Sequence, residues 1–134
     1  MRVMRETTFT VRTGAREEIR IITSEVERAL ATLTSDDGIC TIVTPHTTTA
    51  ISVNENADPD VPRDLTKALR AMIPNVDFRH GEGNSDAHLL SSIIGTSLTW
   101  PYRHGKLILG RWQGIYFFEL DGPRERKVNV YVVE

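Results

Sequence analysis

Alternation of apolar and polar positions predicts strands in both halves of the chain. Near the start, residues 8–12 and residues 18–21 alternate, and Gly14 interrupts the pattern between them. Four further strands are predicted in the second half, at residues 97–102, 106–109, 114–120 and 127–133, and the last of these alternates most clearly. Residues 103–105 form a predicted turn between the first two of these strands.

Two segments rich in β-branched residues, residues 39–44 and residues 49–53, predict a further pair of strands. Between them and the first strands, the apolar side chains of residues 23–33 recur at helical spacing. This spacing predicts an amphipathic helix that Thr23 or Ser24 caps. The other face of the helix is charged, so we expect the helix to cover the core and to carry no chemistry.

Two more helices are predicted between the strand groups. Residues 61–72 have helical spacing, with Asp60 as the N-cap and a proline in the first turn. The other helix is short and opens at Asn84 or Ser85. A chain of 134 residues is long enough to enclose one core, so we expect a single domain that covers residues 1–134.

Composition narrows the class of function. Hydrophobic residues make up 40% of the chain and charged residues 25%, which is typical of a globular domain. The net charge is -2 and the basic residues are scattered, so we expect no nucleic-acid partner. The N-terminal segment has no apolar stretch long enough for a signal peptide or a membrane span. We therefore expect no membrane partner and a cytoplasmic location.

The densest group of reactive side chains lies in residues 80–88, which hold two imidazoles, two carboxylates and an amide. Neutral imidazole is the commonest metal ligand, and catalytic zinc usually takes three protein ligands. His80 and His88 would supply two of them. His46 is favoured as the third over His104, which sits beside two cations in a predicted turn. The alternative is that these histidines are hydrogen-bonded surface or capping residues.

Acidic residues near the histidines are candidates for a general acid or base. Glu82 and Asp86 lie within the histidine segment, and Glu55 follows the predicted strand after His46. Asp86 has other interpretations, because a carboxylate in the first turn of a helix also stabilises the helix dipole or orients a neighbouring ligand. The predicted catalytic residues are therefore Glu55, Glu82 and Asp86.

Further polar side chains are candidates for holding a substrate. The hydroxyls, amides and guanidinium groups concerned are those of Thr47, Thr48, Asn54, Asn84, Gln113, Arg124 and Arg126. Arg124 and Arg126 follow a predicted turn, where guanidinium groups bind phosphate or carboxylate through paired hydrogen bonds. The alternative for the arginines is a charged turn that protects the edge of a sheet.

Five segments of the chain, taken in order, resemble the YjbQ family, also called secondary thiamine-phosphate synthases. They are residues 46–48, 54–60, 80–88, 109–115 and 121–124. The resemblance runs over the whole chain. It implies an α+β fold, a β-rich sandwich of mostly antiparallel strands with two to three helices, that assembles as a homotrimer. It also implies that His46, His80 and His88 are the metal ligands. The family pattern has Thr before Trp112, where this chain has Arg111. This difference affects the expected substrate more than the expected fold.

The activity linked to the family joins a pyrimidine pyrophosphate to a thiazole phosphate and releases pyrophosphate. A departing pyrophosphate calls for Mg²⁺, which prefers carboxylate and water oxygens, whereas three imidazoles suit zinc. This mismatch favours a metal-dependent enzyme whose physiological substrate the sequence does not name, with thiamine-phosphate synthesis as a weak secondary activity. The expected metal is a divalent ion, zinc, or Mg²⁺ with a pyrophosphate substrate, and the expected partner is a small phosphorylated molecule. The alternative is a non-catalytic protein that binds a small phosphorylated metabolite and carries a structural metal.

Overall fold

Eight strands and three helices follow one another along residues 1–134, all of which the computed structural model describes. The strands are β1 (Met4–Arg12), β2 (Glu18–Ile21), β3 (Gly38–Val43), β4 (Thr49–Glu55), β5 (Ser97–Arg103), β6 (Lys106–Leu107), β7 (Gln113–Glu119) and β8 (Glu125–Val133). The helices are α1 (Thr23–Leu33), α2 (Asp60–Ala71) and α3 (Ser85–Ile94). This confirms the predicted α+β class. None of the three helices has the length and apolar character that a membrane crossing requires.

The strands form two sheets in which every pair is antiparallel. Five strands make the larger sheet in the order β1-β8-β3-β5-β6, and three make the smaller one in the order β2-β7-β4. In the smaller sheet Thr49 pairs with Glu119 and Glu55 pairs with Gln113, so the start of β4 lies beside the end of β7. In the larger sheet β1 and β8 pair along their whole length, from Met4 with Val133 onwards.

The main hydrophobic core contains side chains from both sheets and from α1. β7 belongs to this core and to a second one. Ile115 and Phe117 lie in the main core, whereas Tyr116 and Phe118 pack in a smaller cluster with Leu90 of α3. Because successive side chains of a strand point to opposite faces, β7 is buried on both sides and is almost continuously apolar. The second cluster fixes α3 against the smaller sheet.

The helix ends differ from the prediction. Asp60 does not cap α2 but is its first residue, and the carboxylate of Asp58 accepts a hydrogen bond from the Asp60 amide at 2.9 Å. Thr23 is likewise the first residue of α1, and its hydroxyl accepts a hydrogen bond from the Ile115 amide of β7 at 2.9 Å. Thr23 therefore does not cap α1, and its hydroxyl joins the helix to the smaller sheet. This is a tertiary contact, which the local sequence does not reveal.

Candidate functional site

A polar cavity lies where the β3–β4 loop, the start of α3 and the β7–β8 turn meet. The β3–β4 loop and the β7–β8 turn are neighbours because Thr49 pairs with Glu119. α3 is held over this end of the sheet by a buried hydrogen bond of 2.6 Å from the Ser91 hydroxyl to the Thr49 carbonyl oxygen. The fold therefore brings together three segments that are far apart in sequence.

The cavity has a volume of about 350 Å³, and none of its lining residues is hydrophobic. They are Pro45, His46, Thr47, Thr48, Glu82, Asn84, His88, Asp121, Arg124 and Arg126. Ligand sites are usually lined mostly by apolar side chains, so this cavity suits a polar or charged molecule. Sequence reasoning proposed all of these residues except Pro45 and Asp121.

His88 is oriented for binding a cation or a proton donor. Its Nδ1 lies 3.1 Å from the Thr47 carbonyl oxygen. A carbonyl oxygen only accepts hydrogen bonds, so in the neutral form of the ring Nδ1 carries the proton and Nε2 keeps its lone pair. A hydrogen bond of this kind to a backbone carbonyl is common in histidines that bind metals.

His80 lies next to His88. Their ring centroids are 5.4 Å apart and the ring planes are almost perpendicular, at 88°. Two imidazoles bound to one tetrahedral zinc, at N–Zn distances of about 2.0–2.1 Å, place their centroids about 5 Å apart. The centroid separation of the pair is therefore close to that of two imidazoles bound to one zinc ion. His80 also lines a second cavity of about 630 Å³, between Arg16, Arg70 and Phe78.

His46 lines the first cavity, but its ring already forms a hydrogen bond with the backbone. Its Nε2 accepts a hydrogen bond of 2.8 Å from the Lys127 amide, so the proton of the neutral ring is on Nδ1. Burial lowers the pKa of His46, as does the positive charge of Arg126, so the ring is neutral near pH 7. No group of three or more His, Cys, Asp or Glu side chains is placed to hold a metal ion. The structure therefore brings two of the three predicted ligands together.

Arg126 is a buried residue that lines the cavity. Its Nε and Nη2 donate hydrogen bonds of 2.9 and 2.5 Å to the carboxylate of Glu119. A third hydrogen bond, of 2.8 Å, joins Nη2 to the Thr48 hydroxyl. Burial by itself would raise the pKa of Glu119, but the hydrogen bonds from Arg126 and from Thr13 hold it below the ordinary range. Arg126 is thus mainly a structural residue at the site.

Sequence reasoning missed Glu119 and Asp121. The signal for Glu119 was available, because it is a charged residue inside the apolar run of β7. Asp121 follows it in the turn, where its carboxylate accepts hydrogen bonds of 2.9 Å from the Asn84 amide group and 3.2 Å from Arg124. Asp121 therefore connects the β7–β8 turn to the start of α3.

Asp86 lies outside the first cavity, although it is two residues from His88 in sequence. Its carboxylate pairs with Arg70 at 2.9 Å and with Arg16 at 3.4 Å. Partial burial alone would raise the pKa of Asp86, but the hydrogen bond from Arg70 and the charge of Arg16 lower it. The observed contacts give Asp86 the role of joining α3 to α2 and to the segment before β2.

Asn54, Glu55 and Gln113 lie at the other end of the smaller sheet. Glu55 pairs with Gln113 there, six residues along β4 from Thr49, which corresponds to about 20 Å. Their side chains accept hydrogen bonds from nearby backbone amides, such as the bond of 2.8 Å from the Ala57 amide to Glu55. Within one chain the structure does not bring these three predicted site residues together with the histidines.

Fold and cavity together define a class of α+β proteins with two antiparallel sheets and a histidine-bearing polar cavity at one end of the smaller sheet. Residues 7–134 match the family model described as UPF0047 protein YjbQ-like, and the chain belongs to this family. This confirms the resemblance seen in the sequence. The chain is 46% identical over 126 residues to a UPF0047 protein of Methanocaldococcus jannaschii, which covers 93% of this chain and 91% of that protein. It is also 46% identical over 122 residues to the UPF0047 protein YugU of Bacillus subtilis, covering 89% and 92%.

Solved structures show the same fold. A crystal structure of a YjbQ/UPF0047 family protein from Clostridium acetobutylicum is 43% identical, with a TM-score of 0.86 over 96% of this chain and 98% of that chain. A YbjQ-like protein of unknown function from Sulfolobus solfataricus is 31% identical, with a TM-score of 0.91 over 99% of both chains. The arrangement of the two sheets is therefore shared with these relatives.

Proposed function

We propose that the polar cavity binds a small phosphorylated molecule and that the protein is a metal-dependent enzyme that acts on it. The observation that carries this proposal is a cavity without hydrophobic lining that has a free imidazole nitrogen on one side and guanidinium groups on the other. Arg126 uses Nε and Nη2 for Glu119 and Thr48, which leaves Nη1 for a ligand. Arg124 is exposed at the same cavity. Two guanidinium groups beside a helix N-terminus suit an anion.

His80 and His88 are the proposed first ligands of a divalent metal, most simply zinc, because their spacing fits one ion. His46 could become a third ligand only if its Nε2 gave up the hydrogen bond from the Lys127 amide and bound the metal instead. A zinc ion bound there would polarise a phosphoryl oxygen or lower the pKa of a bound water. A pyrophosphate substrate would instead bring Mg²⁺, for which the carboxylates at the cavity are suitable ligands.

Glu82 is the proposed general acid or base. It is the only one of the three predicted catalytic carboxylates that lines the first cavity. Glu55 is at the far end of the smaller sheet, and the carboxylate of Asp86 is occupied by two arginines. Glu82 therefore would take or give a proton at the substrate.

The joining of a pyrimidine pyrophosphate to a thiazole phosphate is proposed as a weak secondary activity. The second cavity beside His80 adjoins the first at the histidine pair and offers room for a second phosphorylated molecule. A strain that lacks its normal thiamine-phosphate synthase tests this. Rescue only on strong overexpression is expected, and rescue at native expression would make the reaction the main function.

A non-catalytic protein that binds a phosphorylated metabolite is the second candidate. The observation that favours it is that two of the three predicted catalytic carboxylates lie outside the cavity that holds His88. Detection of phosphate-ester binding without any turnover of the bound ester would favour this candidate.

We also propose a cytoplasmic homotrimer. The observation that supports assembly is that Trp112 is 56% exposed with the Arg111 guanidinium over its ring at 4.8 Å, since Trp and Arg are enriched at protein–protein interfaces. Cys40 is the only cysteine and is buried and unpaired, as is usual in a reducing compartment.

Elemental analysis of the tag-free protein tests the metal proposal. Stoichiometric zinc, or another late transition metal, is expected in the wild type and should be lost in His80→Ala and His88→Ala. The same measurement on His46→Ala shows whether the third histidine takes part. His104→Ala is the matched control, because this histidine lies in an exposed turn outside the cavity. A folded His88→Ala variant with full metal content would contradict the ligand assignment.

A further inference from the structure

We infer that residues 74–83, which we call the strap, close over the second cavity when His80 of the strap and His88 of α3 bind one metal ion together. The inference rests on the metal-dependent function proposed above and adds a conformational step to it. Before the metal binds, the strap is mobile and the second cavity is open. Afterwards the strap is held against α3, and Glu82 is fixed at the first cavity, which it lines.

The rest of the protein holds the strap only weakly. All of its residues are exposed, and its only backbone hydrogen bond, of 3.1 Å from the Val76 amide to the Pro74 carbonyl oxygen, lies within it. Its side chains form no hydrogen bond and no ion pair. The nearest side chains that do so belong to Arg70 on one side and to Asn84 on the other. A segment with so few contacts leaves its position at a low cost in free energy.

The two ends of the strap, in contrast, are fixed. Ile73, directly before it, packs against the second hydrophobic cluster, and α3 after it is anchored by Leu90 of that cluster. The Arg70 guanidinium in the last turn of α2 pairs with the Asp86 carboxylate in the first turn of α3 at 2.9 Å. The strap is therefore a loop closed at its base, so that a movement is confined to the strap itself.

Two glycines add to the conformational freedom of the strap. Gly81 and Gly83 flank Glu82, and Gly83 has a φ of +79°, a conformation that favours glycine. A Cβ atom built on either glycine would meet no atom within 4 Å outside the two adjacent residues. The space around this part of the strap is therefore open, and nothing packed against it prevents a movement.

The strap borders both cavities. Glu82 lines the first, whereas Phe78, His80 and Gly83 line the second, whose volume is about 630 Å³. The remaining walls of the second cavity belong to the fixed parts of the chain and include Ile73. Phe78 is 41% exposed, so a movement of the strap towards Ile73 would bury apolar surface and favour closure. The closed strap would enclose a ligand in the second cavity.

The histidine pair supplies the trigger for closure. His88 is held on α3 by the hydrogen bond between its Nδ1 and the Thr47 carbonyl oxygen, whereas His80 lies on the strap, and the two ring centroids are 5.4 Å apart. Binding of one metal ion by both rings would therefore tie the strap to α3. The conformational entropy that the strap loses in this step weakens the measured metal affinity. A strap with less freedom should therefore bind the metal more tightly.

Limited proteolysis tests the closure, because trypsin cleaves after Arg79 in the middle of the strap. Zinc should slow this cleavage in the wild type about tenfold or more, since the protease acts on the open form of the strap. His88→Ala should be cleaved equally fast with and without zinc. His104→Ala should behave like the wild type, because this histidine lies in an exposed turn outside both cavities. A small peptide substrate in the same solutions controls for an effect of zinc on trypsin itself.

Gly81→Ala tests the freedom of the strap at a residue that is not a metal ligand. The φ of Gly81 lies outside the left-handed region, so alanine fits there and restricts the open strap. The zinc affinity, measured by isothermal titration calorimetry, should rise about two- to fivefold. Gly14→Ala is the matched control, because a Cβ there also meets no atom within 4 Å and Gly14 lies between β1 and β2. It should leave the zinc affinity unchanged.

The outcomes separate the two proposals. If the wild type binds stoichiometric zinc but is cleaved after Arg79 as fast as without zinc, the closure is overturned and the metal-dependent function stands. The same holds if Gly81→Ala binds zinc no more tightly than the wild type. If the wild type binds no zinc, both the closure and the proposed function are overturned. Protection by zinc that His88→Ala loses, together with tighter zinc binding by Gly81→Ala, supports the inference.

Discussion

Glu119 and Arg126 form an ion pair beneath the cavity, with 0% and 3% of their side chains exposed. Burying two charges is costly, and their hydrogen bonds offset that cost only while both partners are present. Arg126→Met should leave the Glu119 carboxylate buried without its partner and lower the free energy of unfolding by about 3–5 kcal/mol. Urea unfolding at pH 7, followed by circular dichroism, measures the loss.

Arg12→Met is the matched control for this prediction. Arg12 lies 3.8 Å from Glu125, and both side chains are at least half exposed, so its removal should cost at most about 1 kcal/mol. The double variant Glu119→Leu with Arg126→Met should recover much of the loss, because no buried charge remains. An Arg126→Met variant as stable as Arg12→Met would show that the buried pair contributes little.

The Glu119 carboxylate also makes stability depend on pH. Burial alone would raise its pKa, but hydrogen bonds from Arg126 and Thr13 lower it in the folded protein. A group with a lowered folded pKa stabilises above its unfolded pKa, about 4.3 for Glu, and this stabilisation is lost as the pH falls below that value through the folded pKa. The free energy of unfolding should therefore fall from about pH 5 downwards.

Glu119→Gln should have a shallower decline over the same pH range, measured by urea unfolding from neutral to acidic pH. Asp86 contributes a decline of the same sign in both proteins, since its pKa is also lowered. The difference between wild type and variant therefore isolates Glu119. Identical slopes in the two proteins would contradict the assignment of a lowered pKa to this carboxylate.

At the level of elements, α3 is the helix that carries the site, and Asp86 joins it to α2. Asp86→Asn should weaken the pairs with Arg16 and Arg70, whose side chains are more than 40% exposed, and cost about 1 kcal/mol of stability. Metal content and phosphate-ester binding in the first cavity should stay at the wild-type level, because Asp86 lines only the second cavity and its carboxylate is already paired with Arg16 and Arg70. Elemental analysis and calorimetry on the variant check both points.

Asp60→Asn is the control, because Asp60 is largely exposed and lies 3.7 Å from Arg63 on one helix. It should change stability by less than about 0.5 kcal/mol. An Asp86→Asn variant that kept full stability but lost its metal would instead make Asp86 part of the site, which is the role first considered from its position in the sequence.

The helices and strands could be predicted because the apolar residues of each recur at the spacing of that type of structure. Alternation in β8 and helical spacing in α1 depend on neighbouring residues alone, so the sequence contains the whole signal. The partners of the helix ends are not local. Thr23 contacts β7 and Asn84 contacts the β7–β8 turn, and neither contact follows from adjacent residues. The start of α3 at Asn84 was predicted correctly, whereas Thr23 contacts β7 instead of capping α1.

At the level of the whole molecule, the predicted site divides between the two ends of the smaller sheet. Strand periodicity tells which face a side chain occupies but not which ends of two strands meet, since that depends on the pairing register. His46, Glu82 and His88 line one cavity, because the β3–β4 loop and the segment before α3 meet at the start of that helix. Glu55 and Gln113 were expected there too, but β4 is extended and carries Glu55 about 20 Å from its start, and the register of β4 with β7 pairs Gln113 with Glu55.

The homotrimer proposal makes a direct prediction for the mass in solution. Size-exclusion chromatography with light scattering should give three times the chain mass of 15.1 kDa. Trp112→Ala should shift the mass towards one chain, because a large exposed aromatic side chain is the strongest candidate for an interface residue. Met72→Ala, at another exposed apolar position, is the control. A monomeric wild type would contradict the proposal.

The pairing of β1 with β8 also determines how the chain can be re-engineered. The Val3 amide and the Glu134 carbonyl oxygen are joined by a hydrogen bond of 2.6 Å, and the Glu134 amide donates back to Val3 at 3.1 Å. Val3 and Glu134 are thus neighbours, so a short peptide linker would connect the two segments without distorting either strand. New ends opened in the exposed connection at residues 75–79 would give a circular permutant with both sheets intact. In such a permutant a fused reporter would be attached next to His80, whereas a fusion at residue 134 lies at the opposite end of β8 from Arg126 and the cavity.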